Sequence, residues 1–174
     1  TDLLKQRFSQ TLPAVMAQIR FLPKQRFDDY LNLIALADVM LDPVHFGGGS
    51  TTYEALAMGV PIVTWPAEFM RGRFAYGCYQ RMEVLDCVAG TPQQYVAMAV
   101  RLGTDRNYRD QVQAKIRATH HLLYENSEVV QELERFFLSR FSISLPPSSN
   151  QKLPSLAPNF SSPELALAAR YQQA

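Results

Sequence analysis

The chain has 174 residues, of which 47% are hydrophobic and 19% are charged, and its formal net charge is +1. This length suits one ordinary domain and is short for two. The near-neutral charge gives no electrostatic basis for binding nucleic acid or an anionic membrane surface. No apolar run approaches the roughly 20 residues that a membrane-spanning helix needs. A start at Thr1, without a basic-then-apolar signal, indicates a fragment or a processed chain.

The first part of the chain alternates predicted helices with short apolar runs. Apolar residues at helical spacing predict a helix over residues 2–18, which Pro13 interrupts. A short strand at 19–22 and a helix over 28–37 follow. The continuous apolar run at 39–41 predicts a strand that is buried on both faces.

The same alternation continues through the middle of the chain. We expect a helix over 52–58 that ends at Gly59, and then a buried strand at 61–65. A helix over 70–82 and a short strand at 84–88 come next. Strands that alternate with helices indicate βαβ units and a parallel sheet. Because only three or four strands are predicted, the chain resembles the later part of a larger α/β domain.

The last part of the chain contains three predicted helices and a change of composition. The helices cover about 93–102, 108–124 and 128–137. Ser and Pro dominate after residue 140 and charges become rare, which is typical of a flexible tail. We therefore divide the chain into one domain over residues 1–140 and a Ser/Pro-rich, disordered tail over 141–174.

The two cysteines, Cys78 and Cys87, show no CxxC spacing and no neighbouring histidine cluster. A disulfide or a metal site is the less favoured alternative. Two reduced, partly buried thiols in a cytoplasmic protein fit the pattern better.

The most informative segment is a run of three glycines, residues 47–49, between a predicted strand and a predicted helix. Ser50, Thr51 and Thr52 follow, and Glu54 comes one helical turn later. Glycine has no Cβ, so its backbone N–H groups can approach a phosphate closely. Ligands also bind at the carboxyl ends of strands in parallel α/β sheets. The loop is therefore a candidate anion site.

A ligand-free alternative explains part of the same pattern. Thr51 followed three residues later by Glu54 is a capping box, which would only start a helix. The segment matches neither the P-loop, which needs a Gly-Lys-Ser/Thr sequence, nor the GxGxxG dinucleotide fingerprint. The loop alone names no ligand.

Together with its surroundings, the loop resembles the C-terminal catalytic lobe of the O-linked N-acetylglucosamine transferase family, which includes the SPINDLY-like proteins. The resemblance covers about residues 19–138. Its motifs occur in order along this chain: Phe21-Leu22-Pro23, Leu36-Ala37-Asp38-Val39, Leu41-Asp42-Pro43, Gly48-Gly49-Ser50-Thr51-Thr52, Glu54-Ala55-Leu56, Gly59-Val60-Pro61-Ile62-Val63-Thr64 and Val100-Arg101-Leu102-Gly103-Thr104-Asp105.

The resemblance implies part of a GT-B glycosyltransferase: a C-terminal Rossmann-like lobe with a parallel sheet flanked by helices. It implies an inverting, metal-independent transfer of N-acetylglucosamine from UDP to Ser or Thr hydroxyls of proteins. The partners would be a UDP-sugar donor and a protein acceptor, with no cofactor, metal, nucleic acid or membrane. Family members commonly carry tetratricopeptide repeats ahead of the catalytic region.

The resemblance also implies which residues bind the donor. Gly48 and Gly49 lead into the helix start that holds the UDP diphosphate, and Glu54 falls at the acidic position for the ribose. The remaining donor-site residues are Ser50, Thr51 and Thr52 at the diphosphate, Gln25 near the uracil, and Tyr30 near the base and ribose. Tyr30 and Phe27 replace the frequent His and Lys of the family, which leaves nucleotide specificity open.

Two further residues are weaker candidates. His45 lies close to the loop and would reach a phosphate, or it is a structural or solvent-facing histidine. Arg73 falls on a recurrent family arginine. It would contact a phosphate or the acceptor, or it would form an ordinary salt bridge. Trp65, Tyr76 and Tyr79 fit packing better than substrate binding.

No residue of this chain is a convincing catalytic base, since the resemblance places the other lobe and a basic phosphate ligand upstream of residue 1. We therefore expect the chain alone to be inactive. Two alternatives stay open: a lobe of a small-molecule UDP-glycosyltransferase, and a non-catalytic nucleotide-binding or interaction module. Retaining transferases with a Glu-x7-Glu motif are disfavoured because Phe46 stands where the first Glu belongs.

Overall fold

The computed structural model describes residues 2–141, which are mostly helical around a small parallel sheet. Strands β1 (Met40–Leu41) and β2 (Ile62–Val63) form that sheet, and 3-10 turns cover Pro13–Gln18, Met70–Gly72 and His120–Leu123. The helices are, in chain order, α1 (Asp2–Thr11), α2 (Phe27–Ala35), α3 (Ser50–Ala57), α4 (Phe74–Met82), α5 (Pro92–Thr104), α6 (Arg106–Thr119) and α7 (Ser127–Phe141). The predicted tail, apart from Phe141 at the end of α7, lies outside the described residues.

The two strands pair in parallel, and α3 forms the connection between them. Met40 aligns with Ile62 and Leu41 with Val63. A single parallel bridge between Thr64 and Val88 extends the sheet by one position. The predicted parallel arrangement is confirmed, but the sheet is smaller than the three or four strands that the sequence predicted.

Three predictions about strands are wrong. Residues 19–22 form no strand, and the Phe21 ring instead lies 5.9 Å from the Phe8 ring of α1. Strand β1 is not buried on both faces, since Leu41 is 56% exposed. Of the predicted strand at 84–88, only Val88 pairs. Within residues 2–141, the run at 19–22 has no neighbouring strand to take up its backbone hydrogen bonds, and the run at 84–88 has one only at Val88. Strand β1 does pair with β2, but Leu41 remains exposed.

Gly59 ends α3, as predicted. Its φ of 74° lies in the left-handed region that glycine adopts without strain. Gly59 N donates to Leu56 O at 3.0 Å and Val60 N donates to Ala55 O at 2.9 Å, which is the Schellman pattern. The turn directs the chain at once into β2.

The core lies between the sheet and α3, α4, α5 and α6. Its largest fully buried side chain is Tyr79, whose hydroxyl oxygen accepts a hydrogen bond from Ile62 N at 2.8 Å. The other core residues are apolar and include Leu56, Val60, Val63, Met82, Leu102, Val112 and Ile116. Both cysteines are buried and free. Helix α3 is thus held on its inner face, which fixes the direction of its N-terminus.

No helix within residues 2–141 combines the length and the apolar character required to cross a bilayer.

Candidate functional site

The glycine loop leaves β1 at Asp42 and reaches α3 at Ser50, and two backbone contacts fix its path. Gly47 N donates to Arg71 O at 2.8 Å, and Gly48 N donates to the Asp42 Oδ1 at 3.1 Å. A Cβ added at Gly47 would lie 2.7 Å from that same carboxylate oxygen. The close approach of the loop to Asp42 therefore requires glycine at this position.

The N-terminus of α3 presents unpaired backbone donors. Gly49 is the N-cap residue, and no side chain caps the helix. Among the hydrogen bonds of the described residues, none uses the N–H groups of Gly49, Ser50 or Thr51. Ser50 and Thr51 are exposed. Free N–H groups at the positive end of a helix form an anion site.

The capping-box alternative is wrong. It requires Thr51 as the N-cap, but α3 begins one residue earlier, at Ser50. Of the two neighbouring threonines, Thr52 is buried and its Oγ1 donates to Gly48 O at 2.7 Å. Thr52 thus ties the helix to the loop, while Thr51 faces solvent.

Glu54 and Tyr30, both predicted donor-site residues, lie next to each other on α3 and α2. Burial raises the pKa of the Tyr30 phenol, and the adjacent Glu54 carboxylate raises it further. Both side chains are half-buried. The structure thus places a hydroxyl and a carboxylate one helical turn beyond the unpaired N–H groups.

The other predicted residues show no contact with this group. Gln25 is half-buried, and its Nε2 donates to Pro23 O at 2.8 Å. His45 is exposed on the glycine loop.

Arg73 has protein partners of its own. Its Nη1 donates to Ala67 O at 2.8 Å, and its guanidinium lies 4.9 Å from the centre of the Tyr76 ring. Arg73 also borders a cavity of about 470 Å³ between α4 and the start of α7, lined further by Tyr53, Cys78, Arg81, Leu122 and Val129. No acidic side chain within residues 2–141 forms an ion pair with Arg73.

The residue that sequence reasoning missed is Asp42. It is only 5% exposed, and its two oxygens accept hydrogen bonds from Gly48 N and from Thr64 Oγ1, the latter at 2.8 Å. The signal was present as an acidic residue directly after an apolar run. The motif Leu41-Asp42-Pro43 contains this residue, but the sequence assigns no role to its side chain.

Within residues 2–141, no group of three or more His, Cys, Asp or Glu side chains is arranged to hold a metal ion.

Comparison with known proteins identifies the family. Residues 11–133 match the profile of Glycosyl transferase family 41. The chain is 36% identical over 101 residues (57% of this chain, 9% of the relative) to a UDP-N-acetylglucosamine–peptide N-acetylglucosaminyltransferase of Caenorhabditis elegans. It is 27% identical over 120 residues (67% and 13%) to the probable UDP-N-acetylglucosamine–peptide N-acetylglucosaminyltransferase SPINDLY of Hordeum vulgare. The chain thus spans about a tenth of the length of these curated relatives.

A solved structure supports the fold. A mutant O-GlcNAc transferase from Thermobaculum terrenum superimposes with a TM-score of 0.68 at 24% identity, over 79% of this chain and 27% of that one. The helical arrangement around the small parallel sheet is therefore shared with that solved structure. With most of residues 2–141 inside the matched region, the chain belongs to glycosyl transferase family 41.

Proposed function

We propose that this chain is the UDP-sugar-binding part of an inverting glycosyltransferase that transfers N-acetylglucosamine from UDP to Ser or Thr hydroxyls of proteins. The observation that carries the proposal is the set of unpaired N–H groups on Gly49, Ser50 and Thr51 at the carboxyl end of β1. Membership in family 41 and the activities for which the relatives are named supply the reaction and the substrates. The same membership disfavours a small-molecule UDP-glycosyltransferase.

The chemistry of the site agrees with this reaction. The N-terminus of α3 would stabilise the negative charge that develops on the departing diphosphate. Glu54 would accept hydrogen bonds from the ribose hydroxyls, and Tyr30 would hold the carboxylate in place. The donor would need no metal ion, since backbone N–H groups supply the electrostatic stabilisation. The free, buried cysteines agree with a cytoplasmic location.

Calorimetry with UDP tests the site. We expect the 174-residue chain to bind UDP, and we expect Thr51→Ala combined with Glu54→Ala to abolish the binding. Asp105→Ala is the matched control, because Asp105 caps α6 through its contact with Tyr108 N, at 3.0 Å. That control loses about 1 kcal/mol of stability but keeps its affinity for UDP. Equal affinity of the double variant and the native chain would refute the site.

A transfer assay separates the enzyme from a non-catalytic binding module. An inverting displacement needs an acceptor hydroxyl aligned opposite the leaving group, with a base to take its proton. Around the loop, Asp42 is occupied by two hydrogen bonds and Glu54 lies against Tyr30. We therefore expect UDP binding without sugar transfer from residues 1–174 alone. Transfer of N-acetylglucosamine to a peptide by this chain would contradict that expectation.

A further inference from the structure

Asp42 connects four parts of the molecule. Its backbone N donates to Val63 O of β2 at 2.9 Å, and its backbone O accepts from the Tyr95 hydroxyl of α5 at 3.0 Å. Its carboxylate accepts from Gly48 N in the glycine loop and from Thr64 Oγ1 just after β2. The side chain therefore joins the loop to the sheet.

The burial of this carboxylate calls for a physical reason. Asp42 is 5% exposed, Thr64 is fully buried, and no cation pairs with Asp42 anywhere in residues 2–141. Burying an unpaired carboxylate is costly, and packing alone would favour an apolar residue here. An ionised carboxylate only accepts hydrogen bonds, so both of its partners must turn their donors toward it.

This constraint determines which way the loop faces. Asp42 takes the N–H of Gly48 inward, and Thr52 Oγ1 holds the Gly48 carbonyl from the helix side at 2.7 Å. The N–H and the C=O of Gly48 are thus both hydrogen-bonded, and the next three N–H groups, those of Gly49, Ser50 and Thr51, have no acceptor. Asp42 therefore pairs with the N–H of Gly48 and leaves the unpaired N–H groups on the three exposed residues that follow.

We propose that Asp42 is the positioning residue of the donor site: it orients the glycine loop so that the N–H groups of Gly49, Ser50 and Thr51 face the diphosphate, without touching the ligand itself. The inference rests on the proposed function and assigns a role to a residue outside the predicted donor site. A purely structural Asp42 would affect stability and leave nucleotide affinity unchanged in any variant that folds.

Four variants of the 174-residue chain test this role, with UDP affinity by calorimetry, stability by urea unfolding, and amide hydrogen exchange of Gly48 as readouts. Asp42→Asn keeps an oxygen for Gly48 and offers an NH₂ group to the Thr64 hydroxyl, so its UDP affinity stays within about threefold of the native chain. Asp42→Ala loses both bonds, so its affinity falls by about tenfold or more and its Gly48 amide exchanges faster.

The other two variants separate positioning from stability. Thr64→Val removes one of the two bonds that hold the carboxylate and weakens UDP binding by a few fold. Tyr79→Phe is the matched control, because it removes the buried acceptor of the Ile62 N–H in β2, two residues before Thr64. This control lowers stability and leaves UDP affinity unchanged.

Several results would overturn the inference. Native affinity in folded Asp42→Ala does so, and so does a loss in Asp42→Asn as large as in Asp42→Ala, since charge and not geometry would then be responsible. If Asp42→Ala does not fold, unchanged affinity and Gly48 exchange in Thr64→Val decide against it. If the native chain binds no UDP, the proposed function fails. The amide hydrogen exchange of Gly48 is then the remaining test of the positioning role. An exchange rate that is unchanged in Asp42→Ala and Thr64→Val refutes that role.

Discussion

Gly47 shows how little room the loop leaves for a side chain. Its N–H is paired with Arg71 O, and a Cβ would lie within 3.2 Å of three atoms of the Asp42 carboxyl group. That carboxyl group is fixed by its own hydrogen bonds and is unable to move aside without losing them. The loop therefore depends on the absence of a Cβ at this residue.

We expect Gly47→Ala to destabilise the chain by about 1–3 kcal/mol, the usual cost of overpacking a buried position. Gly103→Ala is the matched control, because no atom lies within 4 Å of a Cβ at residue 103 in α5. The control does not lower stability, since alanine favours a helix more than glycine does. Urea unfolding measures both, and equal midpoints for the two variants would contradict the packing described here.

The residues of the site were predictable to different degrees. Local spacing and the family resemblance predict a donor-site role for the hydroxyl and carboxylate side chains from Ser50 to Glu54, and that role stays a prediction. The role of Asp42 does not follow from local spacing, because it depends on Thr64, which lies 22 positions away along the chain. The start of α3 was also misplaced: three successive glycines offer several N-cap positions, and the loop's contacts with Asp42 and Arg71 select Gly49.

At the scale of elements, the end of α4 contains a strained residue. Glu83 follows Met82 with φ of 57° and ψ of 30°, which is the left-handed conformation. Side chains with a Cβ adopt this region at a cost, whereas glycine does not. The helix terminus would therefore accept glycine at this position more readily than glutamate.

Glu83→Gly is expected to stabilise the chain by about 0.5–1 kcal/mol, because relief of strain outweighs the added freedom of the unfolded state. The control is Glu134→Gly in the middle of α7, where glycine costs about 1 kcal/mol relative to a good helix former. Thermal unfolding of the two variants should shift in opposite directions. A lower midpoint for Glu83→Gly would show that the left-handed residue is not strained.

The turn before α7 contains a pH-sensitive histidine. His120 Nδ1 is buried and has no hydrogen-bond partner among the described residues, and the ring lies 6.2 Å from that of Tyr124. Burial lowers the pKa of His120, and the charge of His121 lowers it further. Folding therefore favours the neutral imidazole.

The sign of the pH effect follows from this shift. Above the unfolded pKa of about 6.5 both states are neutral, and the full stability is present. As the pH falls through that value toward the folded pKa, only the unfolded state binds a proton, so stability is lost. We expect His120→Phe to reduce this loss between pH 7 and 5. Urea unfolding midpoints measured between pH 7 and 5 test this. If the midpoint of His120→Phe falls with pH as steeply as that of the native chain, the assignment is refuted.

The helices were predicted better than the strands, for a physical reason. Periodic apolar residues located α2, α3, α5, α6 and α7 because helical hydrogen bonds are local. A strand needs a partner strand. The run at 19–22 pairs at no position, and the run at 84–88 pairs only at Val88. Sequence alone does not show whether a neighbouring strand is present.

At the scale of the whole molecule, the site faces away from a continuous core. The buried residues of α3 pack on β2, α4 and α6, while its N-terminal residues Ser50 and Thr51 remain exposed. The apolar cavity beside Tyr53 and Arg73 lies along α4 and the start of α7 and is lined by neither Ser50 nor Thr51. Two surfaces of the chain are therefore available to a small ligand, and we propose that UDP binds to the one at the N-terminus of α3.

A titration of the 15N-labelled chain with UDP, followed by amide chemical shifts, tests whether the nucleotide binds at the N-terminus of α3. We expect the largest shifts at the N–H groups of Gly49, Ser50 and Thr51, with smaller ones at Glu54 and Tyr30, because the diphosphate accepts hydrogen bonds from the unpaired donors of α3. Shifts confined to residues around the cavity, such as Gly77 and Cys78, or no shifts at millimolar UDP, would contradict it.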